Sequence, residues 1–224
     1  MITNQEQIAA LMALTDGDKK HDPSAHSTMA VLSALYNQVL HYDAANPQSD
    51  DRDRFIMSKG HGPLALYAIL AHKGFFPAHE LKKFLQWDGI LGGHPDRSQV
   101  PGVEASTGSL GHGFPMAIGV ALALKAKKNK RRVYVLIGDG ETNEGSVWEA
   151  VLLAGDLELS NLTVILIDNR SSTRNLGDAA AKFSNFGWQA EAVDGRNETA
   201  VAQALLSPAT DRPSLVVAEV LPNV

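Results

Sequence analysis

At 224 residues the chain is long enough to bury a substantial core, and 44% hydrophobic against 20% charged residues is the balance of a soluble globular protein. It has no cysteine, which excludes disulfides and thiolate chemistry and fits a cytoplasmic setting. A net charge of −5, no basic apolar leader at the N-terminus and no run near the roughly 20 apolar residues of a membrane span argue against nucleic-acid-binding, secreted and membrane-spanning classes.

Ile8, Leu11, Met12 and Leu14 predict a short first helix, ended by the turn residues Thr15 to Asp18. Leu32, Leu35, Tyr36, Val39 and Leu40 recur at the spacing of one buried helical face, with Ser24 as its expected N-cap. Phe55 to Met57 reads as a short buried strand, Gly60-His61-Gly62 as a loop, and Leu64 to His72 as the helix after it. Pro77 to Gln86 predicts another helix, with the proline in its first turn. Glycines and polar residues then dominate from Leu91 to Gly113.

Pro115 to Lys127 is a helix rich in small residues, Ala117, Gly119, Ala121 and Ala123, which favour close packing over an exposed face. The basic run Lys125 to Arg132 has no interleaved aromatics and reads as a solvated helix end and turn. Beyond it lie two runs of aliphatic and β-branched residues, Val133 to Ile137 and Leu162 to Ile167, separated by a helix-length segment through Trp148 and Leu153. That is a βαβ unit with two buried parallel strands. The polar stretch Arg170 to Gly177, a helical Ala179 to Phe186, and strands Trp188 to Val193 and Pro213 to Val220 complete an α/β chain.

Parallel strands of one βαβ unit end at the same sheet edge, where open α/β folds bind ligands. Asp139 and Asn169, at the two strand ends, are therefore expected side by side. A carboxylate, an amide oxygen and a backbone carbonyl are hard ligands suited to Mg²⁺ or Ca²⁺. Gly138 and Gly140 would let a phosphate come close to the backbone ahead of a helix N-terminus. Glu141, in the first turn, is explained by the helix dipole alone.

Gly138-Asp139-Gly140 followed by Asn169 resembles the thiamine-diphosphate motif, and Gly138-Asp139-Gly140-Glu141-Thr142-Asn143-Glu144-Gly145-Ser146-Val147-Trp148-Glu149-Ala150 is similar to its transketolase form. Arg52 to Gly62, Gly93-His94-Pro95 and Thr107-Gly108-Ser109-Leu110-Gly111-His112-Gly113 carry the resemblance through the rest of the chain. It implies a thiamine-diphosphate-binding α/β fold, a central mostly parallel sheet with helices on both faces, with residues 1–224 forming one transketolase N-terminal, diphosphate-binding domain. It further implies thiamine diphosphate and Mg²⁺ as cofactors, the metal held by Asp139, Asn169 and the carbonyl of Ser171. Cofactor contacts would come from His61, Gly108, Ser109, Leu110, Gly138, Asp139, Gly140, Glu141 and Asn169.

The catalytic set implied by the resemblance is His21, His61 and His94, with Glu144 supporting a glutamate of a neighbouring subunit. Without the resemblance, His21 reads as a surface turn residue and His61 as a solvated turn histidine; with it, the two readings of His21 are balanced. Several positions depart from the family: Leu85 replaces an arginine, His112 a glutamine and Arg196 a histidine, and the interval from Asn169 to Trp188 is short. The sequence stops at Val224, where transketolases continue into a Gly-Lys-Gly loop and another histidine.

No pyrimidine-binding domain is present in this sequence. The resemblance therefore implies one subunit of a split transketolase, completed by a C-terminal transketolase subunit in a two-plus-two assembly. Together they would transfer a two-carbon ketol unit between sugar phosphates. A specialised relative with an unusual acceptor in secondary metabolism and a noncatalytic scaffold are the alternatives, although a scaffold has no need of two metal ligands. A nucleotide-binding module is disfavoured, since neither Gly-x-Gly-x-x-Gly nor a P-loop stands at a strand end.

Overall fold

The computed structural model describes residues 3–15 and 22–220. Five strands, β1 (Arg54–Met57), β2 (Val133–Gly138), β3 (Leu162–Asp168), β4 (Gln189–Asp194) and β5 (Ser214–Glu219), form one sheet in the order β1-β2-β3-β5-β4. Every pairing is parallel. The expected βαβ unit is thus present, with Val133 opposite Leu162 and Gly138 opposite Ile167.

Side chains alternate across the sheet, and the two apolar sets reach different helical layers. Tyr134, Leu136, Ile165, Ile167, Val216 and Ala218 pack with α1 (Asn4–Met12), α2 (Asp22–Ala34), α3 (Leu64–His72) and α7 (Glu198–Leu206). Val133, Val135, Ile137, Val164, Leu166, Leu215 and Val217 pack with α4 (Gly113–Ala126), α5 (Gly145–Asp156) and α6 (Ala179–Ser184). Burial on both faces is why β2 and β3 tolerate unbroken apolar runs. Edge strand β4 is largely exposed and carries Glu191 and Asp194, charges that discourage pairing with another chain.

Two local expectations are corrected. Ser24 is not an N-cap but the third residue of α2, and its hydroxyl donates to the carbonyl of His61 at 3.3 Å. Pro77 to Gln86 is not an α-helix: Pro77 precedes a short 3₁₀ turn, Ala78–Lys83. The chain then turns back, with Leu85 at φ 60° donating its N–H to Leu91 at 2.9 Å. That cross-loop bond replaces the helical one the segment would need to continue.

Helix α4 is apolar beyond what the sheet uses. Ala117 and Ala121 are buried, whereas Met116, Gly119 and Leu122 face outward and are exposed. The basic run after it behaves as a solvated end: Lys125 reaches the carbonyls of Leu157 and Glu158, and Arg131 pairs with Asp51 at 2.7 Å. No helix among the described residues is long and apolar enough to cross a membrane.

Candidate functional site

The C-terminal ends of β2 and β3 bring Asp139 beside the loop that opens with Asn169. Asp139 is only 3% exposed, and a buried carboxylate persists only if donors surround it. Its Oδ2 accepts the N–H groups of Ser171 at 2.7 Å and Ser172 at 3.0 Å. Its Oδ1 accepts the Gly140 N–H at 2.7 Å and the Ser171 hydroxyl at 2.9 Å. Asn169, half-buried, accepts from the Ser171 N–H through its own side-chain oxygen at 3.2 Å.

Asp139, Asn169 and Ser171 therefore converge, joined through the Ser171 N–H and hydroxyl. The donor set is one carboxylate with amide, hydroxyl and carbonyl oxygens, which fits a hard divalent cation. No group of three or more His, Cys, Asp or Glu able to hold a metal occurs among the described residues, so a cation here would rest on Asp139 with neutral oxygens. The N–H groups of Gly138 and Gly140 donate to the carboxylates of Glu141 and Asp139. Gly140 has open space where a side chain would stand.

Glu141 is a clamp between loops. It is 1% exposed and accepts the Ser58 hydroxyl at 2.7 Å, the Gly111 N–H at 2.9 Å and the Gly138 N–H at 3.2 Å. One carboxylate so joins the segments after β1, before α4 and at the end of β2. Burial raises its pKa against the pull of these three donors and of Lys59.

Lys59, a residue with no assigned role in the sequence, is buried beside these carboxylates. Its stem lies over Gly138, where an added Cβ would come within 3.3 Å of Lys59 Cγ. Its ammonium donates to the Ser24 carbonyl at 3.0 Å and the Ser27 hydroxyl at 3.2 Å. Desolvation pulls its pKa down to about 8, opposed by the charges of Asp139 and Glu141. The available signal was a lysine directly after a buried strand and before Gly-His-Gly.

The glycine-rich segments meet at Gly60, the residue after Lys59. Gly60 has φ 47°, and an added Cβ would lie 2.7 Å from the Cα and N of Gly108. Gly108 in turn accommodates the His94 ring, 2.9 Å from where its Cβ would be. This packing sets the His61 and His94 rings edge to face, 5.0 Å between centroids. Tyr67 holds the His94 segment by donating to the carbonyls of Gly92 at 3.0 Å and His94 at 2.9 Å. Thr107 donates its hydroxyl to Met57 at 2.7 Å, anchoring the glycine loop to the end of β1.

Ser109 is exposed and Leu110 half-buried, both at the surface of this loop. His112 is exposed, its Nδ1 3.0 Å from the Leu110 carbonyl. Glu144 is exposed at the N-cap of α5, beside Gly111. His21 lies outside the described residues. Two clefts flank the segment after Asn169. One, of about 570 Å³, is lined by His26, Ser27, Asn169, Ser171 and Arg196. The other, of about 520 Å³, is lined by Asp139, Asp168, Arg170, Arg174 and Glu219.

This edge has counterparts in known proteins. Residues 2–221 match the family described as "Transketolase, thiamine diphosphate binding domain". The chain is 43% identical over 217 residues to a protein of Rhodococcoides fascians named "Ferredoxin fas2", covering 96% of this chain and 71% of that one. No cysteine is present here to ligate an iron–sulfur cluster in the usual way. It is 36% identical over 206 residues to the 6-deoxy-6-sulfo-D-fructose transketolase subunit SqwG of Clostridium sp. strain MSTE9, covering 88% of this chain and 75% of the relative. A crystal structure of a transketolase variant from Pichia stipitis superposes with a TM-score of 0.82 at 29% identity, covering 96% of this chain but 36% of that longer one. A five-stranded parallel sheet, the clustered motifs at its C-terminal edge and a family match over nearly the whole sequence lead to one assignment: the chain belongs to the transketolase family of transferases, as its N-terminal, thiamine-diphosphate-binding domain.

Proposed function

We propose that this chain, a single domain, is the diphosphate-binding subunit of a split transketolase, working in the cytoplasm with a separate subunit that supplies the pyrimidine-binding domain. The observation that supports the reading is the convergence of Asp139, Asn169 and Ser171 at the ends of β2 and β3, with the Lys59 stem over the neighbouring Gly138 and the His61–His94 pair packed at the Gly60–Gly108 contact. Asp139, Asn169 and the Ser171 carbonyl would hold Mg²⁺, and Gly108, Ser109, Leu110, Gly138, Gly140, Glu141 and His61 would border thiamine diphosphate. The cofactor, when bound, supplies the electron sink for moving a two-carbon ketol unit from a ketose to an aldose.

The chain's own residues then orient the reactants and move protons. His61 and His94, with His21, are the candidates, since an imidazole ring can both donate and accept a proton through its two nitrogens. Lys59 places a buried positive charge beside the diphosphate position. Glu141 positions the three loops rather than touching substrate. Glu144, exposed at the head of α5, is assigned to the contact with the partner's glutamate. A relative named for a sulfonated ketose supports ketol transfer as the reaction class and leaves open a specialised substrate, in keeping with Leu85 and His112 at family-variant positions. A two-plus-two assembly is the arrangement we assign to the complete enzyme.

The test is calorimetric titration of thiamine diphosphate with Mg²⁺ into the chain alone and mixed with its candidate partner. Tight binding in the mixture that disappears in Asp139→Ala supports the shared site. A stable complex that binds no cofactor would reduce the chain to a scaffold.

A further inference from the structure

Asp139 already carries a full set of hydrogen bonds. Oδ2 receives the N–H groups of Ser171 and Ser172, and Oδ1 receives the Gly140 N–H and the Ser171 hydroxyl. A carboxylate offers about four acceptor positions, so all are engaged. Three of the donors are backbone groups fixed by the turn after β2 and the segment after Asn169. The fourth, Ser171 Oγ, is released by rotation about a single side-chain bond, and Ser171 is exposed beside the 570 Å³ cleft.

We propose that the Ser171 hydroxyl is a built-in stand-in for the divalent cation. It neutralises Asp139 Oδ1 in the cation-free chain and gives up that oxygen on loading, while the backbone donors keep Oδ2. The inference rests on the cation-binding role given above to Asp139, Asn169 and Ser171. It adds which carboxylate oxygen the cation takes and which side chain competes for it. Ser171 is thus a positioning residue whose side chain opposes binding although its carbonyl would assist it.

The sign of one substitution separates this from an ordinary ligand role. Ser171→Ala keeps the carbonyl and removes only the competing donor, whose hydrogen bond goes to a charged acceptor. Mn²⁺ binding to the full chain mixed with its candidate partner and thiamine diphosphate, followed by electron paramagnetic resonance, is then expected to tighten by about tenfold. Ser171→Thr, which retains the hydroxyl, should bind as the wild type does, and Asp139→Asn should not bind. The unfolding midpoint of cation-free Ser171→Ala should fall below wild type, and saturating Mn²⁺ should erase the difference. Unchanged or weaker Mn²⁺ binding by Ser171→Ala, with wild type binding and Asp139→Asn not, overturns the stand-in role alone. No Mn²⁺ binding by wild type and Ser171→Ala overturns the cation site itself.

Discussion

The Ser58 hydroxyl donates to the Glu141 carboxylate at 2.7 Å, tying the ends of neighbouring strands β1 and β2 across a gap of 83 positions in sequence. Because the same carboxylate also holds Gly111 and Gly138, its charge distribution matters more than its shape. Replacing it by Gln turns one acceptor oxygen into an NH₂ donor, which must face either the Gly138 N–H or the donors Ser58 and Gly111. Glu141→Gln should therefore lose about 1–3 kcal/mol of stability, the cost of a buried unpaired donor. Urea unfolding measures it, and a change within experimental error would remove Glu141 from its clamping role.

Lys59 makes stability depend on alkaline pH with a defined sign. Its folded-state pKa is about 8, below the ordinary 10.5. Below about 8 both folded and unfolded chains hold the proton and the full cost of burying the charge is present. Between 8 and 10.5 the unfolded chain binds more protons, so this group alone makes stability rise with pH. Relative to Lys59→Met, the wild type should gain about 2–3 kcal/mol across that window. The buried phenols of Tyr36, Tyr67 and Tyr134, raised by desolvation, oppose the rise at its alkaline end, but both proteins share them. Parallel pH profiles for the two proteins would show that Lys59 is solvated after all.

Gly60→Ala probes the contact between the two glycine loops. A methyl group there meets the backbone of Gly108 at 2.7 Å, where no side chain can swing aside, and φ is 47°. About 2–3 kcal/mol of destabilisation is expected, with a larger effect on activity because the His61–His94 geometry depends on that contact. Gly177→Ala, also at positive φ but with open space around it, is the control for backbone strain alone. Equal losses in the two variants would deny the contact any special part.

His94→Asn should spare cofactor binding and lower kcat for ketol transfer by about 10²–10⁴ in the assembled enzyme. The variant keeps the backbone carbonyl that Tyr67 holds, so the fold is not disturbed. A raised KM with kcat intact would instead make His94 a substrate-binding group.

The sheet was legible where physics leaves one solution. Val133 to Ile137 and Leu162 to Ile167 are apolar on both faces, and only a covered parallel strand accommodates that. Asp139 beside Asn169 followed from the strands ending together. Pro77 to Gln86 was less legible, because the bond from Leu85 to Leu91 reaches across a loop and leaves no mark on local periodicity. Ser24 misled for a similar reason: its partner is His61, 37 positions away. Glu141 looked like a dipole residue because its three donors come from three different segments. Lys59 was unassigned because only the folded chain reveals that its ammonium is buried among serines and carboxylates.

The directions in which the chain leaves β1 and β2 have a further consequence. After β1 it passes into α3 on one side of the sheet, and after β2 into α5 on the opposite side. Two adjacent strands whose exits diverge leave a furrow between them, and the Lys59 stem occupies it above Gly138. The furrow is a property of chain connectivity rather than of any one functional group. A variant stripped of Asp139 should therefore keep the Lys59 stem seated over Gly138.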